Sequence, residues 1–103
     1  MKRVAVLVRS AAERGAEALR GAVGLAAGGL AVRVLLVEDG VFALTARDTD
    51  KPIGTLRLLG HEVMIELESL ASRNLSAMPW MNIIRRDQLP ELLASCDAVE
   101  AWR

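Results

Sequence analysis

Val4-Ala5-Val6-Leu7-Val8, then a helix-patterned segment from Ser10-Ala11-Ala12-Glu13 to Gly28-Gly29, then Val32-Arg33-Val34-Leu35-Leu36-Val37: this stretch decides the fold. The first run is continuously apolar and rich in β-branched residues, as a strand covered on both faces requires. Ser10 and Glu13 have the spacing of a capping box, in which hydroxyl and carboxylate satisfy the free backbone donors of a helix start. Ala12, Ala16, Leu19, Val23 and Ala26 then recur at helical spacing, with Glu13, Glu17 and Arg20 outside that stripe. Gly28-Gly29 ends the helix, because glycine accepts the left-handed conformation of a C-cap. Val32 to Val37 is a second buried run. The unit is therefore strand, helix, strand, of the length that a right-handed parallel crossover needs.

Working outward, Glu38-Asp39-Gly40 closes the second strand and Val41 to Leu44 predicts a short helix. Ala46 to Pro52, with Asp48, Asp50 and Lys51, is polar and reads as a mobile loop. Ile53 to Gly60 predicts a helix that turns Ile53, Leu56 and Leu59 inward. Val63, Ile65 and Leu67 alternate with Glu62, Met64, Glu66 and Glu68, which predicts a third strand with one less apolar face. Asn74 to Trp80 reads as irregular, and Met81 to Ile84 as a short fourth strand. Asp87 is placed to cap a last helix carrying Leu89, Leu92, Leu93 and Cys96 on one face, before a terminal strand Ala98 to Trp102. Strands alternating with helices from end to end imply an α/β layer with a mainly parallel sheet and helices on both faces.

The chain has 103 residues, 52% hydrophobic and 25% charged. That length suits one domain, 1–103, with one modest core. Thirteen basic residues balance thirteen acidic ones, so the charge excess that nucleic acids and acidic membranes require of a binder is missing. A single cysteine, Cys96, can make neither an internal disulfide nor a multi-thiolate zinc site, and a reducing cytoplasm is the expected location. Met1-Lys2-Arg3 is basic, but Val4 to Val8 is too short for the apolar segment of a signal peptide. Gly21 to Val37, the longest stretch of low charge, contains Arg33 and Gly28-Gly29, and reads as a helix end and a strand rather than a membrane span.

In open parallel sheets ligands bind beyond the carboxyl ends of the strands, which places Arg9-Ser10, Glu38-Asp39-Gly40 and Glu66 to Ser69 on the candidate rim. The turn from Arg9 to Gly15 lacks both G-x-G-x-x-G and a Walker lysine, so no nucleotide fingerprint is present and no cofactor is expected. Gly24 and Gly28 read as close-packing positions. Cys96 falls on the apolar stripe of the last helix, away from any cation, and reads as an inert core thiol. His61 reads as a solvated turn residue, with general base as its sharper alternative. Asp39 either caps the short helix or orients a ligand, and Arg85-Arg86 reads as solvated surface. Glu66 stands out. On a strand covered on both faces its carboxylate needs a partner, for which Arg73, Lys51 and His61 are the candidates, and a carboxylate so placed reads equally as the mark of a site or as a structural ion pair.

Arg14 to Ala27, followed by Val34-Leu35-Leu36-Val37-Glu38-Asp39-Gly40-Val41-Phe42-Ala43-Leu44, resembles the DsrE/DsrF-like sulfur-relay family, in which a helix and a strand lead to an aspartate-glycine turn. Val63 to Leu75 resembles the third-strand segment of the DsrF/TusC-like branch, and Asp97-Ala98-Val99-Glu100-Ala101-Trp102 is similar to the family's closing strand. The resemblance covers nearly the whole chain. It implies a flavodoxin-like three-layer α/β subunit, cytoplasmic, assembling into trimers or hexamers, and engaged in persulfide transfer. The family's sulfur-carrying cysteine, at the end of the third strand, aligns with Glu66, and a carboxylate cannot hold a persulfide; Cys96 does not match that motif. The expectation is thus an accessory or scaffold subunit without the carrier cysteine. A small-ligand pocket is expected around Glu66, with Asp39, Gly40, Ser69 and Arg73. Its partners would be further copies of itself and cysteine-bearing relatives, with no nucleic acid, membrane or metal. The alternatives are a small α/β enzyme using Glu66 with His61 as acid or base, and a sulfur carrier acting through Cys96.

Overall fold

A computed structural model describes residues 2–77 and 79–103, leaving out the side chain of Asp48; Met1 and Met78, which fall in the basic start and the irregular stretch read above, lie outside the described residues. The elements in chain order are β1 (Arg3–Val8), α1 (Ala12–Ala27), β2 (Ala31–Leu36), a 3₁₀ helix (Glu38–Leu44), α2 (Arg47–Leu58), β3 (Glu62–Glu66), α3 (Leu67–Ser72), β4 (Asn82–Ile84), a second 3₁₀ helix (Arg86–Gln88), α4 (Leu89–Ala94) and β5 (Ala98–Trp102). The strands form one sheet in the order β4-β3-β2-β1-β5, and every pairing is parallel.

Strand order dictates the layers. From β1 to β4 each crossover steps the same way across the sheet, so right-handed connections put their helices on one face; the return from β4 to β5 puts α4 on the other. Val6, Val8, Val34, Leu36, Val63 and Ile65 accordingly pack with Leu19 and Leu56 on the first face. Ala5, Leu7, Leu35, Val37, Met64 and Ile84 lie on the second, beneath Leu89, Leu92, Leu93 and Cys96. Sequence periodicity thus identified both the sheet and the apolar stripe of α4.

Arg33 is the exception within the buried second strand. It points to the α4 face and is 7% exposed. Its guanidinium donates to Glu62 Oε1 (3.1 and 3.2 Å), the Leu92 carbonyl (3.0 Å) and Ser95 Oγ (2.6 Å), so the buried charge is paired and hydrogen-bonded.

Several local expectations are corrected. The Ser10–Glu13 capping box does not form: Ala12 takes φ +54°, the helix is capped from Ala11, and no side chain bonds the cap. At the other end Gly29, at φ +92°, is the left-handed residue, and the Leu30 and Gly29 amides donate to the Leu25 and Ala26 carbonyls in a Schellman arrangement. Gly24 has open space where a Cβ would stand, so it does not serve close packing. The polar segment 46–52 is not a loop throughout, since α2 begins at Arg47. Its first turn is held by Thr49, 1% exposed, whose hydroxyl faces the carbonyls of Ala43 and Ala46 (2.7 Å to the latter). Leu59 falls at the C-cap of α2 and is 59% exposed, not inward. Strand β3 stops at Glu66, and Leu67 and Glu68 already belong to α3, so Met64 and Glu66 are as buried as the residues of the other face. No helix among the described residues is long and apolar enough to cross a membrane.

Candidate functional site

The carboxyl ends of β2, β3 and β4 converge on a cluster of polar side chains. Glu66, last residue of β3, is 1% exposed. Ser69, one turn later in α3 and fully buried, donates its hydroxyl to Glu66 Oε1 and accepts the Glu38 amide at 2.7 Å. Glu38 follows β2 with φ +51°, a left-handed conformation costing a non-glycine residue about 1–3 kcal/mol, which the bond to Ser69 helps offset. Arg86, in the turn after β4, completes the group with Nη2 2.9 Å from Glu66 Oε1, while both oxygens of Glu68 accept the Arg86 amide at 2.9 and 3.0 Å.

Arg73 forms the outer wall. Its Nε and Nη2 both lie 3.0 Å from Asp39 Oδ1, and its Nη1 donates to the Ser69 carbonyl and to Ser72 Oγ at 3.2 and 2.9 Å. Asp39, Glu66, Ser69 and Arg73 are therefore brought together at one end of the sheet. Gly40 joins them for a steric reason. A Cβ there would stand 1.9 Å from the Val8 carbonyl oxygen, so only glycine lets the 3₁₀ helix lie against the end of β1.

Opposing effects set the ionisation of Glu66. Burial pushes its pKa up; hydrogen bonds from Arg86 and Ser69, with the positive fields of Arg86 and Arg73, pull it down further, and the balance lies below the ordinary carboxylate value. Arg86 is in turn held more firmly protonated by its bond to Glu66. At neutral pH the carboxylate is ionised and can accept but not donate. Ser69 has its hydrogen on Glu66 and its lone pair on the Glu38 amide, so it is no free nucleophile. Among the described residues no group of three or more His, Cys, Asp or Glu is placed to hold a metal ion.

The partner of Glu66 is thus Arg86, not Arg73, Lys51 or His61, and Arg86 is not simply solvated surface. The rule that ligands and polar groups gather at carboxyl ends, applied to β4 as it was to β2 and β3, would have found it. Lys51 lines a separate cavity of about 320 Å³ with Arg20, Val23, Pro52 and Thr55. His61 precedes β3 while Glu66 ends it, a separation of about 16 Å along a strand, so the two cannot act on one substrate as an acid–base pair. His61 is half-buried and accepts the Val32 amide on Nδ1 at 3.1 Å, which is more than a solvated turn histidine does. Cys96 lies at the amino end of the sheet, beside the Asp97–Arg3 backbone bond and away from Glu66. It is half-buried against the apolar stripe, and Arg33 Nη1, 3.9 Å from its sulfur, supplies the neighbouring cation that the sequence did not suggest.

No family model matches the sequence, and no curated protein matches it. Among solved structures the chain is similar to the YchN protein from E. coli, with a TM-score of 0.83 over 98% of each chain at 21% identity. A likeness at that identity establishes the shared fold.

Proposed function

We propose that this chain is an accessory or scaffold subunit of a DsrE/DsrF-like sulfur relay that does not itself carry sulfur. One observation carries the proposal: the end of β3, where the resembled family places its carrier thiol, holds a buried carboxylate already closed by Ser69 and Arg86. A carboxylate offers no sulfur atom for thiol–disulfide or persulfide exchange. The fold shared with YchN and the resemblance from Arg14 to Trp102 support the family assignment. A scaffold needs surfaces for other subunits, and β5 supplies an open sheet edge with Val99 47% exposed, while Leu58 at the end of α2 is 87% exposed. On this proposal the protein is cytoplasmic, forms a homo-oligomer, trimeric or hexameric, and associates with cysteine-bearing relatives.

Incubation with a cysteine desulfurase and cysteine, followed by mass spectrometry, tests the non-carrier role. The wild-type protein should gain no persulfide, whereas Glu66→Cys should gain one if the rim keeps the family's sulfur-handling environment. A stable persulfide on wild-type Cys96 overturns the proposal in favour of the carrier alternative. Purification from the native cytoplasm should bring down a cysteine-bearing relative.

A further inference from the structure

A cleft of about 320 Å³ opens on the α1–α2 layer, lined by Arg20, Val23, Lys51, Pro52 and Thr55. The fold brings these residues together on one face of the sheet. Helix α1 follows β1 and α2 precedes β3, both helices cover the first face, and they pack side by side. Arg20 and Val23 stand one turn apart on α1, while Lys51, Pro52 and Thr55 fall within one turn of α2, so each helix contributes a single flank. Floor and rim differ in character. Val23, half-buried against the core of that face, and the ring of Pro52 are apolar, and the Thr55 hydroxyl donates to the Lys51 carbonyl at 2.9 Å. Arg20 and Lys51 are exposed and make no ion pair or side-chain hydrogen bond among the described residues. Glu17 and Asp50, acidic neighbours on the same helices, pair with neither and do not line the cleft.

Two unanswered cations beside an apolar floor select a ligand by exclusion. A cation is repelled. An inorganic anion leaves the floor in water, and a neutral apolar molecule leaves both charges without a partner. Phosphate sites gather free backbone N–H groups around the anion, but Arg20, Val23, Lys51 and Thr55 lie beyond the first four residues of their helices, where the amides belong to the helix. Two side-chain cations suit the two oxygens of a carboxylate. The volume is at the low end of the roughly 300–1,000 Å³ of small-molecule sites, whereas a docked protein needs about 800 Å² of this surface, far more than five residues offer. We propose that this cleft binds a medium-chain carboxylic acid, its carboxylate between Arg20 and Lys51 and its hydrocarbon chain against Val23 and Pro52. The site is independent of the sulfur-relay proposal, since it shares no residue with the carboxyl rim.

Amide NMR of the full chain, titrated with hexanoate, locates the ligand and measures its affinity together. The amides of Val23, Lys51 and Thr55 should shift saturably. Hexan-1-ol, which keeps the chain and lacks the charge, should bind about fivefold more weakly, the order that two exposed charge contacts supply. Acetate, which keeps the charge and lacks the chain, should not saturate. The double variant Arg20→Gln, Lys51→Gln should weaken hexanoate by about the same fivefold, leaving hexan-1-ol binding and the urea midpoint unchanged, because neither side chain has a partner in the fold. Four results overturn the assignment: no saturable shift with hexanoate up to about 10 mM, beyond the millimolar end of small-ligand affinity; saturable shifts confined to amides outside α1 and α2; equal affinity for hexanoate and hexan-1-ol; or shifts of the same amides with protein concentration alone, which would give the cleft to a second copy of the chain.

Discussion

Gly40→Ala tests whether the aspartate-glycine turn is a ligand contact or a steric requirement of the fold. The φ angle of Gly40 is not in the left-handed region, so backbone conformation alone would tolerate alanine. The obstacle is space: the new Cβ would lie 1.9 Å from the Val8 carbonyl oxygen and 2.7 Å from its carbon, roughly 1.5 Å short of ordinary contact. Both are backbone atoms at the end of a central strand, so no side chain can swing aside. The same carbonyl accepts the Val37 amide at 3.1 Å, and moving the 3₁₀ helix outward strains that bond as well. Overpacking of this severity costs about 3 kcal/mol and the hydrogen bond about 1 kcal/mol, together about 4 kcal/mol. At a typical urea dependence that lowers the unfolding midpoint by about 2 M. Gly24→Ala is the internal control. It adds a methyl in open space on an exposed turn of α1 and should stabilise by about 0.5–1 kcal/mol. Urea titrations followed by far-UV circular dichroism report both. A Gly40→Ala protein within about 0.5 kcal/mol of wild type, inside the range of an ordinary surface substitution, would refute the steric account and return Gly40 to the list of ligand contacts.

Glu66 predicts a different pH dependence in two proteins. Its folded pKa is below the unfolded value near 4.5, so its contribution to stability is present above that pH and is lost as pH falls through the folded value. In Arg86→Met burial is opposed only by Ser69 and Arg73, so this acid loss should shrink or reverse; identical pH slopes of the urea midpoint between about pH 3 and 7 in both proteins would rule out the pairing. Cys96, half-buried against Leu92 and Leu93, should react with a thiol reagent more slowly in the native than in the denatured protein, and equal rates would show that it is not shielded. Light scattering at micromolar concentration should give a mass above that of one chain, since the β5 edge and the exposed leucines remain uncovered in the monomer; a monomer mass would contradict the oligomer proposal.

Strands were legible where one residue type filled a whole segment. Val4 to Val8 and, Arg33 apart, Val32 to Val37 are apolar on both faces because helices cover both sides of the central strands. The segment 47–52 was illegible for the converse reason. Its helical state rests on one hydroxyl, that of Thr49, reaching the carbonyl of a preceding 3₁₀ helix, and composition carries no trace of that contact. Leu59 looked inward from its spacing to Ile53 and Leu56, but the helix ends there, with the next residue, Gly60, at φ +83°. Glu66 could be identified as a buried carboxylate because burial follows from the layers. Its partner is legible only once the end of β4 is set beside that of β3, because Arg86 is twenty residues distant and reaches it through the β3–β4 pairing.

Strand alternation then explains why two carboxylates so near in sequence meet different surroundings. Glu62, Met64 and Glu66 share one face of β3, so both carboxylates point to the α4 side, one at each end of the strand. Each is met by an arginine from another strand or turn: Glu62 by Arg33 of β2, Glu66 by Arg86 after β4. The difference lies in what remains. At the carboxyl end Ser69 and Arg86 close over a carboxylate that is 1% exposed, so Glu66 is an internal tie between β3, α3 and the turn after β4. At the amino end Arg33 holds only one oxygen of Glu62, whose side chain is 36% exposed, and the other oxygen has no partner among the described residues. Polar groups with unused valences are what a ligand can recognise, whereas a closed network only stiffens its surroundings. Both ends of β3 are thus tied by an arginine–carboxylate pair, closed at the carboxyl end and open to solvent at the amino end.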